Sequence, residues 1–583
     1  MRVLLSAVAA LLFLTQAPAG PYRTLNDRFP PPHFASRADW ERRAAYLREH
    51  VLASAGLLPL PQKCPLAPFV FDEQKHPDYS VFKVYFASLP GFYVTGNLYR
   101  PAGEGPFPAV LSAHGHWSYG RLENSSLASL PGRAINLARQ GFVVFAYDMI
   151  GYNDSRQLTH TFGGRRESLW GLSLSGLQLW NSIRGIDFLQ SLPYVRKDAI
   201  GATGASGGGT QTFLLAAADD RVQAAVPVNM ISLHMQGGCL CENPPGLRLD
   251  TTNVEIAATI APRPLLMISA TGDWTGETLE VEYPAVRALY ALVGAEDRVT
   301  AVRFAAEHNY NKDSREAMYA WMGRWLKHAP AETPQSERSF TPDPLPDQLV
   351  FHRRLPPEGA LTAEALTSSW IDAAGRQLTM TPLGVRSAAL GHALAFGDAA
   401  APRGKAAPAR RRPVVLVAGE TSSVESPLRA AGYTVRPIRF TPFDEETAAK
   451  VQHFETYNRT PASQRVADIV GALRAEPGAI LVAAGDEALA GALASAIEPP
   501  RLAILDVRGF DTSRDEDFLA HLYIPGLRRA GDLQTASEMA HDRLVIYSAG
   551  PQFAAAGARV QRAALTPAEI VALVRNASAS RQR

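Results

Sequence analysis

The chain has 583 residues, which allows two to four domains at about 150 residues each. Hydrophobic residues account for 46% and charged residues for 20%, so the chain is neither disordered nor fibrous and can bury a large core. The net charge is +2, from 58 Lys and Arg against 56 Asp and Glu, which argues against nucleic acid as the main partner. The densest basic run, at residues 410–412, lies among Ala and Pro and is interpreted as a solvated loop.

Residues 1–19 have the composition of a secretory signal peptide. Arg2 provides the positive start, residues 3–14 form an apolar run, and small residues at 17–19 precede Gly20. The apolar run is shorter than the roughly 20 residues that cross a bilayer, and a retained membrane anchor is the alternative. We expect a secreted or periplasmic protein whose mature chain has no membrane span.

The elements of the first half indicate a sheet covered by helices. Residues 20–78 are expected to wrap over this core as helix and coil. Two β-prone runs joined by Leu-Pro-Gly predict a hairpin, and later apolar strands alternate with helices. The predicted strands are 79–86, 92–99, 108–113, 142–147, 199–203, 224–228, 264–270 and 300–304, and the last helix is 314–327. This alternation is typical of a parallel sheet with both faces covered, and it defines a domain at 79–328.

A second domain is predicted after a linker at 329–346, which is rich in Pro, Ser, Thr and charge. The same order of elements returns over residues 347–583. The predicted strands there are 377–382, 393–396, 413–418, 434–438, 479–483, 501–507 and 543–548. Short fragments also recur in the same order, with Tyr-Asn at 152 and 457, Ala-Ile at 199 and 479, and Pro-Gly-Leu-Arg at 245 and 525. This collinear order predicts a duplicated α/β domain.

The strongest chemical signal is Ser206 in the run Gly-Ala-Ser-Gly-Gly at 204–208. The run follows a predicted strand and precedes a helix, so the serine lies at a sharp turn where only small neighbours fit. The helix N-terminus also places backbone N–H groups and a positive dipole beside a developing oxyanion. This context predicts a nucleophile, and a plain glycine-rich turn is the alternative.

A serine nucleophile needs a base and an acid that orients the base, and in this class of fold both follow the serine. His308 and Asp273 each follow a predicted strand, at the carboxyl ends where open α/β sheets place their sites. We expect His308 to be the base and Asp273 the acid. Glu277 and Asp250 are rival acids. Alternatively, Asp273 caps a helix that starts at Thr275.

The loop His-Gly-His at 114–116 follows an early strand, where this class of fold places an oxyanion donor. Gly115 lets the backbone turn so that the main-chain N–H of His116 faces the site, and Gly207 supplies the second donor. A His-x-His pair can instead bind metal, which needs further ligands at later strand ends. The sequence shows no such series, so no metal and no cofactor are expected.

Three cysteines, Cys64, Cys239 and Cys241, allow at most one disulfide. Buried, inert thiols are expected, and a disulfide from Cys64 to one of the other two stays open. The Cys-Leu-Cys spacing is too weak by itself to predict a metal site.

Together these motifs resemble those of an α/β-hydrolase, in particular the acetyl xylan esterase group and its dienelactone-hydrolase and prolyl-oligopeptidase-like relatives. The resemblance covers roughly residues 40–330 and implies the α/β-hydrolase fold. By resemblance the nucleophile is Ser206, the acid Asp273, the base His308, and the oxyanion donors His116 and Gly207. The segment 238–244 departs from the pattern of these esterases, at a place where such folds insert substrate-contacting residues.

The second half is predicted to be a degenerate, noncatalytic domain of the same fold. Aligning the two Ala-Ile pairs places Asp486 at the position of Ser206. No histidine follows strand 543–548, where the base should lie, and the loop at 419–421 lacks the His-Gly pair of the oxyanion turn.

The predicted activity is that of a secreted serine carboxylic-ester hydrolase that removes acyl groups, such as acetyl, from carbohydrate such as acetylated xylan. A serine peptidase of the prolyl-oligopeptidase type is one alternative. That class normally carries a large β-propeller, and only about 70 residues precede the first predicted strand. A noncatalytic binding protein on a hydrolase fold is the other alternative, against which the intact Ser–Asp–His order argues.

Overall fold

The structure is a computed structural model that describes residues 20–330, 333, 335–396 and 412–579. The predicted signal peptide, part of the predicted linker and the basic residues before Arg412 lie outside the described residues. Among the described helices, none combines the length and the apolar character that crossing a membrane requires. Export therefore stays a prediction.

The first half forms a nine-stranded sheet. Its strands are β1 (Phe69–Lys75), β2 (Tyr79–Leu89), β3 (Phe92–Pro101), β4 (Phe107–Ser112), β5 (Val143–Tyr147), β6 (Val195–Ala205), β7 (Val222–Val228), β8 (Leu265–Ala270) and β9 (Val299–Phe304). They lie in the order β1-β2-β3-β5-β4-β6-β7-β8-β9, and every pair from β5 to β9 is parallel. Strands β1 to β3, which include the predicted hairpin, add an antiparallel edge. The carboxyl ends of the parallel strands therefore meet at one edge of the sheet.

Helices cover the sheets on both faces. They are α1 (Arg37–Ser54), α2 (Leu130–Arg139), α3 (Arg165–Leu169), α4 (Leu174–Ser191), α5 (Gly207–Ala218), α6 (Asn253–Ala258), α7 (Glu282–Leu292), α8 (Lys312–Lys327), α9 (Leu345–Gln348), α10 (Ala363–Met380), α11 (Leu383–Ala393), α12 (Ser422–Ala430), α13 (Glu445–Ala449), α14 (Phe454–Tyr457), α15 (Pro461–Ala475), α16 (Asp486–Ile497), α17 (Asp515–His521), α18 (Asp532–Ala540) and α19 (Pro567–Ala579). Buried aliphatic and aromatic side chains pack between helices and strands on each face of the first sheet. The predicted fold class, a mostly parallel sheet with helices on both faces, is confirmed.

The second half forms a separate six-stranded sheet that is parallel throughout. Its strands are β10 (Val415–Ala418), β11 (Val435–Pro437), β12 (Ile480–Ala484), β13 (Leu502–Asp506), β14 (Leu544–Tyr547) and β15 (Arg559–Val560), in the order β11-β10-β12-β13-β14-β15. It has its own buried clusters on both faces.

Two strands predicted at the start of the second half are wrong. Residues 377–382 and 393–396 fall at the ends of helices α10 and α11 and in the turns after them. Helix α10 buries Leu366, Trp370 and Ala374, which are four residues apart and so lie on one face of a helix. These short β-prone runs were thus the tails of longer helical patterns.

The described part of the predicted linker packs along the first sheet's helices. The carboxylate of Glu337 forms a two-pronged ion pair with Arg315 on α8, at 2.6 and 2.7 Å, and both side chains are buried. The main-chain N–H of Arg338 donates to the side chain of Asn136 on α2, at 2.8 Å. The segment therefore acts as a strap on the first domain.

The two domains contact each other through the same motif used twice. Each Pro-Gly-Leu-Arg fragment donates two backbone hydrogen bonds to a short helix of the other domain. These bonds run from Gly246 to Glu455 (2.7 Å), Arg248 to Thr456 (2.9 Å), Gly526 to Ser168 (2.7 Å) and Arg528 to Leu169 (3.1 Å). The two halves of the interface are thus related by an approximate two-fold arrangement, as in a dimer of like units.

The arginine of each fragment also lies over an aromatic ring of the other domain. Arg248 lies 5.8 Å from the ring centre of Tyr457, and Arg528 lies 4.6 Å from that of Trp170. Tyr457 therefore occupies in one half of the interface the position that Trp170 occupies in the other, since each directly follows the residue that accepts from the arginine N–H. The predicted match of Tyr457 with Tyr152 is therefore wrong, since a two-residue fragment is too short to set a register.

Candidate active site

Ser206 lies at the turn between β6 and α5. Its backbone has φ 58° and ψ −127°, a conformation that costs energy for a residue with a side chain. The turn is held by a hydrogen bond from the Ser206 N–H to the carbonyl of Val228, at the carboxyl end of β7. A strained serine at the end of a central parallel strand is the arrangement that holds a nucleophilic hydroxyl clear of the backbone.

The glycines around Ser206 are required by close backbone contacts. A Cβ atom on Gly204 would lie 2.5 Å from the carbonyl oxygen of Gly208, and one on Gly208 would lie 2.7 Å from that of His114. Such distances are too short for any side chain. Small residues therefore allow the serine turn to pack against the loop after β4.

Asp273 and His308 form a direct pair. The Nδ1 atom of His308 lies 2.7 Å from Oδ2 of Asp273, whose side chain is only 2% exposed. The other oxygen of Asp273 accepts hydrogen bonds from the N–H and hydroxyl of Thr275, at 2.7 and 2.5 Å. Asp273 thus both closes the turn at Thr275 and holds the imidazole. The rival acids lie elsewhere, with Glu277 paired to Arg28 and Asp250 to Arg43.

The second nitrogen of His308 is the atom that a base must keep available. Nε2 is buried and has no hydrogen-bond partner among the described residues. The ring lies between two indoles, 4.5 Å from that of Trp274 and 6.1 Å from that of Trp117, measured between ring centres. These contacts fix the plane of the imidazole, while 25% of the side chain stays exposed.

The end of β7 links the serine turn to the histidine loop. Val228 accepts the hydrogen bond from Ser206, and the next residue, Asn229, donates from its side chain to the carbonyl of Asn309 at 3.1 Å. Trp117, whose ring lies near that of His308, forms a second link. A Cβ atom placed on Gly115 would lie 3.1 Å from Nε1 of Trp117 and 3.1 Å from Cβ of Ser206, so this indole is also close to the serine turn. The structure therefore places Ser206 and His308 on neighbouring loops at one edge of the sheet.

The loop at 114–116 lies against the serine turn, as an oxyanion loop must. A Cβ on Gly207 would lie 2.5 Å from Cε1 of His116, so these residues are in direct contact. His114 is buried and holds the loop, with Nδ1 2.7 Å from the carbonyl of Gly115 and Nε2 accepting the N–H of Met149 at 2.8 Å. Burial lowers the pKa of His114 to about 3, so this imidazole stays neutral.

The chain is similar in sequence and in structure to known hydrolases. A family model described as X-Pro dipeptidyl-peptidase (S15 family) matches residues 91–271. The chain is 28% identical over 239 residues to "Putative hydrolase YtaP" of Bacillus subtilis (strain 168), a match that covers 38% of this chain and 80% of that protein. Methylesterase BT1017 is a solved structure with 29% identity and a TM-score of 0.51, covering 59% of this chain and 78% of its own.

This chain is related to the α/β-hydrolase superfamily. The resemblance seen in the motifs is thereby confirmed at the level of the superfamily, and hydrolase activity is supported. Another similar structure is a putative acetyl xylan esterase from Bacteroides fragilis NCTC 9343, with 20% identity and a TM-score of 0.39 over 48% of this chain and 78% of its own.

Asp148 supports the hydrolase site from behind. It is buried after β5 and accepts hydrogen bonds from Thr95 at 2.8 Å and Asn153 at 2.9 Å, with Arg121 at 3.4 Å. Burial raises the pKa of Asp148 to about 6, against the opposing charge of Arg121. Its contacts fix the loop after β5, the role that the sequence favours over a reactive one.

The corresponding turn of the second sheet differs from the prediction. Between β12 and α16 the residue with a positive φ is Gly485, with φ 71° and ψ −139°. Its N–H donates to the main-chain carbonyl of Asp506, at the end of β13, at 2.8 Å. Gly485 therefore occupies the position of Ser206, and Asp486 begins the helix. The alignment was one residue off because β6 runs one residue further past the Ala-Ile pair than β12 does.

Asp486 does have a histidine partner that the sequence did not indicate. Nδ1 of His521, on α17, lies 3.1 Å from Oδ1 of Asp486, and Arg465 lies 3.5 Å from its other oxygen. The side chains of Arg465, Asp486 and His521 are 30%, 31% and 55% exposed. Gly485 has no side chain, so no hydroxyl lies at this turn for the histidine to activate. The contact of Asp486 with His521 and Arg465 is therefore interpreted as an ion pair near the surface.

Proposed function

We propose that this protein is a serine carboxylic-ester hydrolase that removes acyl groups, such as acetyl, from plant or microbial polysaccharide such as acetylated xylan. The observation that carries the proposal is the strained serine turn at Ser206 beside the hydrogen-bonded pair of Asp273 and His308. An α/β-hydrolase with these groups has the parts required for acyl transfer.

The proposed mechanism assigns one role to each group. Ser206 Oγ attacks the ester carbonyl carbon while Nε2 of His308 takes the hydroxyl proton. Asp273 holds the imidazole through Nδ1–H and stabilises its charged form. The main-chain N–H groups of His116 and Gly207 donate to the tetrahedral oxyanion. His308 then protonates the leaving alcohol, which leaves an acyl group on Ser206. Water attacks this acyl-enzyme while His308 takes its proton, and His308 returns that proton to Ser206 Oγ as the carboxylic acid leaves.

The site supports an ester substrate more directly than a particular sugar. The similar methylesterase indicates that ester chemistry occurs on a related chain, at 29% identity. A second candidate is cleavage of peptides after proline, which the match to the S15 family model favours. Both activities use the same serine, so only substrate contacts distinguish them.

A substrate panel tests the choice. Purified protein is assayed on p-nitrophenyl acetate, longer-chain esters, acetylated xylan, a methyl-esterified polyuronate and an X-Pro peptide, with Ser206→Ala as control. Release of acetate from xylan, absent in the control, is the expected result. Release of methanol only would move the substrate to methyl esters, and cleavage of the peptide only would overturn the esterase proposal.

We further propose that residues 347–583 are noncatalytic and that the chain is exported after cleavage at 19. Gly485, which has no side chain at the serine position, and the engagement of Asp486 in a partly exposed ion pair with His521 and Arg465 support the first proposal. N-terminal sequencing of protein recovered from the periplasm or medium tests the second, and an intact residue 2 on that protein would contradict it.

A further inference from the structure

Four metal-ligating side chains meet beside the predicted oxyanion loop. His116, His160, Cys239 and Cys241 each offer one ligand atom, and these atoms all lie within 4.8 Å of one another. The Nε2 atom of His116 lies 3.1 Å from Sγ of Cys241, and Nε2 of His160 lies 3.3 Å from Sγ of Cys239. His114, which the sequence paired with His116 as a possible ligand, is not part of this group.

We propose that these four side chains bind a structural Zn²⁺ ion that fixes the oxyanion loop. Two cysteines and two histidines form a composition that zinc binds tetrahedrally in structural sites. Two thiolates also balance the charge of the ion. With bond lengths of about 2.3 Å to sulfur and about 2.0 Å to nitrogen, tetrahedral ligand atoms lie roughly 3.3 to 3.8 Å apart. The two nitrogen–sulfur distances of 3.1 and 3.3 Å lie near this range, and every other pair of ligand atoms lies within 4.8 Å, so movements of about 1 Å or less bring all four atoms to tetrahedral spacing.

The histidine contacts orient the ligand atoms correctly. Nδ1 of His160 lies 2.6 Å from the carbonyl of Ile150, so this nitrogen carries the proton and donates it. Its Nε2 is then a lone-pair donor that faces Cys239. A metal-binding histidine in proteins almost always donates its other N–H in this way.

The cysteine segment is held in place by both domains. Glu242 accepts the N–H of Cys239 at 2.9 Å, and the side chain of Asn243 donates to the carbonyl of Cys239 at 2.7 Å. From the second domain, Gln452 donates to the carbonyl of Gly238 at 3.0 Å, and Thr456 to that of Asn243 at 2.9 Å. The second domain therefore covers the segment that carries both thiolates.

The site gives zinc an organising role and no catalytic one. Four protein ligands leave no position for water or substrate, unlike catalytic zinc sites. The ion joins three loops, which carry His116, His160 and the two cysteines. Since the His116 ring contacts Gly207, fixing this ring also fixes the two residues assigned to the oxyanion hole.

Metal content of the full-length protein tests the proposal directly. Protein produced with zinc in the medium and dialysed against metal-free buffer should contain about one equivalent of zinc by mass spectrometry. The variants Cys239→Ser and Cys241→Ser should lose it. Cys64→Ser is the matched control, because the Cys64 thiol lies apart from the four ligands, donates to the carbonyl of Ala87 at 3.8 Å, and its loss should leave both zinc and activity unchanged.

Two further measurements keep the test decisive if the serine variants do not fold. Cobalt exchanged into the wild-type protein should show the charge-transfer band of a cobalt–thiolate centre. Thiol titration of unfolded, metal-free protein should find three reactive thiols. Wild-type protein without metal, zinc retained in both variants, or a Cys239–Cys241 disulfide with one free thiol would each overturn the proposal. Metal content does not depend on which ester is cleaved, so this test is separate from that of the proposed function.

Discussion

The two parallel sheets place a residue with a positive φ at the same turn, but the residue is Ser206 in one and Gly485 in the other. In both, the turn's N–H donates to the end of the next strand. Glycine adopts this conformation at little cost, whereas serine is strained there. The comparison indicates that the first domain accepts strain in order to present a hydroxyl, while the second retains the backbone conformation with a residue that has no side chain.

The domains also differ in what surrounds the turn. The first places the hydrogen-bonded pair of Asp273 and His308, whose side chains are 2% and 25% exposed, and the 114–116 loop at the sheet edge. The second has Asp486 and His521, 31% and 55% exposed, in a surface pair. What the two halves share instead is the contact between them, where each donates a Pro-Gly-Leu-Arg fragment to the other.

The largest expected effect comes from removing the hydroxyl that only the first domain has. Ser206→Ala should lower kcat by about 10⁴-fold or more with the fold intact, because the triad acts as a unit. Circular dichroism checks the fold, and a fluorophosphonate should label Ser206 alone in the wild-type protein. Turnover that survives in this variant and disappears on adding Asp486→Ala would show that the second domain is catalytic.

A pair of glycine variants sharpens the comparison. Gly207→Ala should lower kcat by roughly 10²-fold, because its Cβ would displace His116 and disturb an oxyanion donor. Gly485→Ala should leave kcat unchanged and cost about 1–2 kcal/mol of unfolding free energy, since φ is 71° there. Steady-state kinetics and urea unfolding measure both effects. Equal losses of activity in the two variants would contradict the division of roles.

The repeated contact is tested by substituting its two arginines. Arg248→Ala should destabilise the protein by about 3 kcal/mol, because loss of the buried guanidinium leaves the side-chain oxygen of Asn253 and the carbonyl of Glu242 without this donor and weakens the bonding of Asn243. Arg528→Ala should cost about 1–2 kcal/mol, since its side chain is 12% exposed. Urea unfolding followed by tryptophan fluorescence measures the difference. A larger effect for Arg528 would reverse the expected order.

A pH-dependent effect concerns acid stability at the packing of α1 on α11. His50 and His392 lie with their Nδ1 atoms 3.3 Å apart, and burial lowers the pKa of His50 from 6.5 to about 4. Between these values the unfolded state binds more protons than the folded state, so stability falls as pH drops from about 6.5 to about 4. The loss should be on the order of 2 kcal/mol.

The substitution His50→Gln should flatten this dependence, because glutamine does not titrate. Urea unfolding at several pH values checks it, with His352→Gln at an exposed position as control. An unchanged slope in His50→Gln would show that other groups cause the acid loss.

The sequence predicted those features that depend on neighbours along the chain. Strands β4 to β9 were recognised because buried parallel strands are short apolar runs, and β2 and β3 because a Leu-Pro-Gly turn joins two β-prone runs. Ser206, Asp273 and His308 could be chosen as candidates because each follows such a strand within a few residues, and parallel strands bring their carboxyl ends to one edge. Strand β1 was missed, since it is exposed for most of its length and has no apolar pattern.

The tertiary structure decided what depends on residues far apart in the chain. Helices α10 and α11 are fixed by long amphipathic patterns that contain β-prone fragments, so local propensity misassigned them. The one-residue difference between Gly485 and Asp486 follows from strand length, which no two-residue fragment records. His160 lies 79 residues from Cys239, with no regular spacing to announce a shared site. Their approach depends on the packing of separate loops, and only the folded chain brings those loops together.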